Sequence, residues 1–118
     1  MKTLDEFVFE SGINKLDFIK CDVEGSELFV FQGGMHSINQ YKPIIYTEML
    51  RKWSAPFGYH PNDIIKLFGD LGYRCFTAID RGLREFFYMD DETEETNFFF
   101  LHDNMHKKII DDWSTELE

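Results

Sequence analysis

Acidic side chains crowd the stretch LDFIKCDVEGSE, Leu16 to Glu27, where Asp22, Glu24 and Glu27 follow directly on an apolar run. A carboxylate at the end of a strand has three chemical uses. It takes a proton from a hydroxyl, orients a nucleophile, or helps to ligate a divalent cation. Near its ordinary pKa of about 4 it is a weak base toward an alcohol, and burial or a like-charged neighbour raises that value. Glu24 is such a neighbour for Asp22. These two are the leading acid–base candidates. The plainer alternative makes both of them capping acids of the following helix, worth roughly 0.3–1 kcal/mol each. Glu27 reads as structural. Lys20 alternates with Asp22 along the strand and projects to the same face.

A second acidic strand end lies further on, at Glu48 of KPIIYTEML. If the two strands are neighbours, Glu48 converges on Asp22, and two carboxylates on one rim suit a shared proton or a cation. The loop RKWSAPFGYHPND then holds Arg51, Trp53 and His60, with an aromatic wall suited to a sugar ring or a cofactor face. Trp53, His60 and Lys20 are the substrate-binding candidates. His36, His102 and His106 read as ordinary surface histidines.

These groups need elements to hold them. Thr3 to Ser11 reads as a short helix, with Thr3 and Glu6 as a capping box. Leu16 to Val23 is the first strand, apolar enough to be covered on both faces as in parallel sheets. Leu28, Phe31, Met35 and Ile38 form a helical stripe, which Gly33-Gly34 should break or pack closely. Lys42 to Leu50 is the second strand, and Arg51 to Asp63 a loop. A helix begins at Pro61 or Asn62 and is capped by Gly72. Tyr73 to Ile79, Leu83 to Met89 and Asn97 to Asp103 are further strands, Asp90 to Glu95 a solvated loop, and the C-terminal tail a short helix. The order β-α-β-α-β-β predicts an α/β fold with two right-handed crossovers, a mostly parallel sheet and an antiparallel element near the C-terminus.

The chain has 118 residues, 43% of them hydrophobic and 13 of them Phe, enough for a real core. A net charge of −10 argues against nucleic acid and anionic membranes as partners. Two cysteines, Cys21 and Cys75, are too few for a disulfide framework and read as buried thiols of a reducing compartment. No apolar run reaches the ~18 residues of a membrane span, and MKTLDEFVFESG lacks a signal-peptide core, so a cytoplasmic location is expected. No G-x-G turn or phosphate-binding loop is present. So few parallel strands would leave a sheet edge open, which suggests that part of an α/β domain lies on the N-terminal side.

The run LDFIKCDVEGSELFVFQGG, followed by KPIIYTEM and HPNDIIKLFGDLGYRCF, resembles the C-terminal half of FkbM-type methyltransferases. Asp17 to Glu27 fit that family's D-[FL]-[IL]-K-[IC]-D-[VI]-E-G-x-E strand, Pro43 to Glu48 its P-I-[IL]-x-x-E strand, and Leu71 to Tyr73 its L-G-Y helix end. TLDEF, Thr3 to Phe7, fits the segment upstream. The resemblance implies a Rossmann-like class I methyltransferase sheet using S-adenosylmethionine to methylate hydroxyl oxygens of sugars or natural products. Residues 1–118 would be a partial domain, its fourth to seventh strands, with the last two antiparallel and the N-terminal cofactor-binding half absent. A small-molecule or glycan acceptor is implied, with Asp22 and Glu24 nearest the chemistry and Glu48 in support. Two rivals stand beside it. One is a non-enzymatic α/β binding module that dimerises through its exposed sheet edge. The other is a metal-dependent, hydrolase-like site built from Asp22, Glu24 and Glu48. On the methyltransferase reading the 118 residues alone bind S-adenosylmethionine weakly or not at all. Calorimetric titration of the chain should show no low-micromolar binding.

Overall fold

The computed structural model describes residues 2–114. Thr3 and Glu6 cap each other across the start of α1 (Leu4–Glu10), the box expected from their spacing. β1 is Phe18–Cys21, shorter than the apolar run around it. The helical stripe after it is two helices, α2 (Glu27–Gln32) and α3 (Met35–Tyr41), broken at Gly33-Gly34. The break is also a close contact. A Cβ on Gly34 would lie 2.4 Å from Leu4 Cδ2, so α1 docks where a side chain would collide. Asp5 of α1 then accepts the free amides of His36 and Ser37 at the start of α3.

β2 is Ile44–Glu48. The segment read as a loop holds α4 (Arg51–Ser54) and a 3-10 turn (Ala55–Phe57), with Gly58 left-handed at its end. α5 (Pro61–Gly69) starts at Pro61, as expected, but the His60 side chain is its N-cap. Gly72, at φ +89, stands beyond the helix end, which is capped at Asp70. β3 is Tyr73–Ile79, β4 Gly82–Glu85 and β5 Asn97–His102, followed by α6 (Lys107–Trp113). The expected C-terminal helix is therefore present to Trp113, and its last four residues lie outside the described ones. Asp90 to Glu95 are, as expected, largely exposed.

The five strands form one sheet in the order β1-β2-β5-β3-β4. Only β1 and β2 pair in parallel; β2 with β5, β5 with β3 and β3 with β4 are antiparallel. The mostly parallel sheet read from the sequence is thus corrected to a mostly antiparallel one. The cause is insertion. β1, β2 and β3 run in one direction, but β5 enters between β2 and β3 in the other, so two pairings become antiparallel. The antiparallel pairing of the last two long strands, β3 and β5, is as expected.

Strand alternation sorts the side chains. Cys21, Ile45, Phe98, Phe100 and Cys75 join Leu28, Phe31, Ile38, Ile64 and Phe68 in the main core, so α2, α3 and α5 cover that face. Phe68 is its hub, with ring centroids 4.9 Å from Phe31, 5.3 Å from Tyr73 and 4.6 Å from Phe100. Full burial of each such ring is worth roughly 1.5–3 kcal/mol. The opposite face holds a smaller cluster of Phe76, Leu101 and Ile110, under α6. α6 does not reach β1, where Phe18 is 51% exposed and Lys20 is exposed. Coverage of the first strand on both faces is therefore corrected: β1 is an edge strand covered on one. Both thiols are buried as expected, and burial, with Glu27 and Asp22 next in effect, pushes the Cys21 pKa up to about 12.

His102 and His106 are not surface histidines. His102 is buried and His106 half-buried. His102 Nδ1 accepts the amides of Asn104 and Met105, and His106 Nδ1 accepts the amide of His102. Each ring nitrogen that would take a proton is thus already an acceptor. Burial holds both pKa values below the usual 6.5, helped by Lys42 for His102 and by His102 for His106. With folded values depressed, their contribution to stability is full above the unfolded value and is lost as pH falls. The urea midpoint should therefore fall between pH 7 and pH 5.5, and His102→Gln with His106→Gln should flatten that slope.

Candidate functional site

The chain leaves β1 at Cys21 and must turn sharply to enter α2. Two residues in left-handed conformation make the turn, Glu24 at φ +51 and Gly25 at φ +111. For Gly25 this is inexpensive. It is also obligatory, because a Cβ there would lie 2.1 Å from the Trp53 carbonyl oxygen and 2.9 Å from the Phe57 ring. For Glu24 the conformation is strained. Three side chains from other positions hold the turn in place. Thr47 Oγ1 of β2 donates to the Cys21 carbonyl at 2.8 Å. The Tyr59 hydroxyl donates to the Gly25 carbonyl at 2.7 Å. Both carboxylate oxygens of Glu27 accept turn amides, one from Val23 and one from Gly25, each at 2.9 Å.

The outcome is an acidic rim. Asp22 and Glu24 are exposed, and Glu48 is half-buried at the end of the neighbouring parallel strand. Because Cys21 pairs with Thr47, the residues that follow, Asp22 and Glu48, leave the sheet side by side. Lys20, Asp22 and Glu48 line one cleft together with Cys21, Tyr46, Thr47 and Asn97. The convergence expected of Lys20, Asp22 and Glu48 is therefore present. Partial desolvation raises the Glu48 pKa, and the neighbouring Asp22 carboxyl raises it further, with smaller effects from Glu27 and Glu24. Lys20 is the cation of the cleft and has no ion-pair partner among the described residues.

The other candidates are placed elsewhere. Glu24 sits on the crest of the turn. Trp53, 38% exposed, contacts the turn through its backbone, and Lys52 stacks over its ring at 5.2 Å. His60 Nδ1 accepts the Asn62 amide at 3.0 Å, so one ring nitrogen is engaged in capping α5. Arg51 pairs with Asp91 at 2.8 Å. Neither Trp53 nor His60 lines the cleft. Thr47 and Asn97 do, and sequence reading passed over both. The alternation of IIYTE put Thr47 on the buried face, and only the pairing of Glu48 with Asn97 brings β5 to the rim.

The cleft is about 100 Å³, well below the roughly 300–1,000 Å³ of a typical ligand pocket. It admits a hydroxyl-bearing end of a molecule, and not an adenosyl group. Among the described residues, no group of three or more His, Cys, Asp and Glu side chains is arranged to hold a metal ion. The metal-dependent hydrolase reading of Asp22, Glu24 and Glu48 is accordingly not favoured. No helix among the described residues is long and apolar enough to cross a membrane.

The family model of the methyltransferase FkbM domain matches residues 1–75, from α1 through the start of β3, and the chain belongs to that family. The match contains the acidic turn, Glu48, Trp53 and His60. No curated protein and no solved structure gives a significant match.

The turn itself is open to test. Gly25→Ala should destabilise the fold by about 2–4 kcal/mol, the range for a β-carbon forced into occupied space at positive φ. Glu24→Gly should instead stabilise by up to about 1 kcal/mol by removing left-handed strain. Chemical denaturation of both variants checks the pair.

Proposed function

We propose that this chain forms the acceptor-side part of a methyltransferase acting on a hydroxyl oxygen of a sugar or natural product. Family membership supports methyl transfer, and S-adenosylmethionine is the methyl donor on this reading. On this reading β1, β2, β3 and β5 are the fourth to seventh strands of the domain, and β4 is an added edge strand. The single observation that carries the hydroxyl assignment is the Asp22–Glu48 pair, whose raised Glu48 pKa suits proton abstraction better than an ordinary carboxylate does.

This cleft is too small for the adenosyl group, so only the acceptor chemistry is derived from its residues. An acceptor hydroxyl entering the cleft meets Glu48 and Asp22. Glu48 takes its proton, and the neighbouring negative charge of Asp22 keeps that proton held. Lys20 and the Asn97 side chain flank the same space and orient the oxygen. Trp53, outside the cleft but beside the turn, offers an apolar shelf to the rest of the acceptor. Cytoplasmic location and a binding-module role remain subordinate readings; no observation favours the latter.

The test is transfer of isotopically labelled methyl from S-adenosylmethionine to a panel of glycan and small-molecule alcohols by the protein that contains this chain. Asp22→Asn and Glu48→Gln should each slow transfer by about 10²-fold or more, the usual scale of general-base loss. The base works deprotonated, so the rate should fall as pH drops through the raised Glu48 value, above the usual ~4.3 for Glu. Removing the like charge in Asp22→Asn should move that acid limb to lower pH. Unchanged rates in both variants would exclude the assignment.

A further inference from the structure

Glu27 is a buried carboxylate that the proposed proton transfer does not use. It is 3% exposed, and burying an ionised group is costly unless it is fully hydrogen-bonded. Its two oxygens meet this condition in an unusual way. They accept amides on either side of Glu24, so one side chain clamps both ends of a three-residue segment, Val23 to Gly25. The amides of the turn therefore point inward to Glu27, and the Asp22 and Glu24 side chains are left on the outer surface. The strained φ of Glu24 requires an external hold of this kind.

We infer that Glu27 is a positioning residue, whose bidentate clamp on the Val23 and Gly25 amides fixes the angle at which Asp22 meets Glu48. This deepens the methyltransferase reading and rests on it for its catalytic meaning. Two further facts favour positioning over simple helix stability. Glu27 opens α2 but makes no contact of the N-cap kind there; both of its bonds go backward, into the turn. The other side-chain bonds to the segment, from Ser26 and Tyr59, and that from Thr47 to Cys21 just before it, grip carbonyl oxygens. Glu27 is the side chain that holds its amides, and carbonyl holds alone leave the peptide planes free to rotate about their attachment points.

The experiment uses the 118-residue chain and needs neither donor nor acceptor. Carboxyl-carbon NMR titration follows Asp22 and Glu48, which line one cleft from neighbouring strands, and reads whether the two carboxyls are coupled. Glu24 and Glu27, whose charges act on Glu48, are followed in the same spectra, and Lys20, which lines the cleft, through its side-chain Cε signal. Glu27→Gln removes the charge and one acceptor. Glu27→Asp keeps the charge but is too short to span both amides. If Glu27 positions the turn, both variants uncouple Asp22 from Glu48, and Val23 and Gly25 amide exchange accelerates roughly tenfold or more, as for lost charged hydrogen bonds. If Glu27 acts only through its charge, Glu27→Asp retains the coupled titration and the inference fails. If it only adds stability, both variants lower the unfolding midpoint yet keep the coupling, and the inference again fails. Should the variants not fold, through-hydrogen-bond scalar couplings from the Val23 and Gly25 amides to the Glu27 carboxyl carbon are sought in the unaltered chain; their absence overturns the clamp. Failure of the methyltransferase reading is separable, since it would abolish methyl transfer and leave this titration intact.

Discussion

A carboxylate with no access to water can exist in this fold only if its partners are fixed, and Glu27 finds them in the turn that closes the first strand. That requirement runs outward through the molecule. The amides of Val23 and Gly25 must face inward, so Glu24 must be left-handed and position 25 must lack a side chain. The Trp53 carbonyl and the Phe57 ring can then close over Gly25, which in turn sets where the segment after β2 runs. A short helix and a 3-10 turn fill a span that, by its Pro and Gly content, reads as irregular. Phe29 meets both Phe57 and Tyr59 edge-on, so the same segment also shields α2.

The acidic rim is electrostatically unfavourable by itself, and the sheet is what enforces it. Parallel pairing of β1 with β2 aligns their carboxyl ends, and each strand ends in an acid. In water two such groups would separate. Here the backbone register holds them together, and partial burial, with the repulsion next in effect, raises the proton affinity of Glu48.

Much of this was legible in residues. The capping box at Thr3 and Glu6, the glycine break after Gln32 and the β3 bounds follow from local pattern, as does the shared strand face of Lys20 and Asp22; their meeting with Glu48 needed the pairing of β1 with β2. What was not legible is non-local. Nothing in NFFFLHD says that it inserts between two strands already running together, because its apolar content suits either direction. The amides that His102 and His106 accept lie within four residues of them, but their burial comes from distant neighbours such as Tyr73, which the sequence does not bring near. Glu27 looked like one more acid at a helix start. Its importance lies in which amides it reaches, and that depends on the turn's backbone angles.

The insertion of β5 has a consequence for how the molecule is assembled. Before residues 97–102 arrive, β1 with β2 and β3 with β4 are two separate strand pairs that share no ladder. Isolated two-stranded units are marginal in water. The last strand made is therefore the keystone that welds them, and loop closure over the ~50 residues between β2 and β5 must precede the gain. A ribosome that has released everything up to β4 holds a chain with its apolar strand edges still unmatched, and the acidic rim acquires Asn97, its last wall, only once β5 has been made.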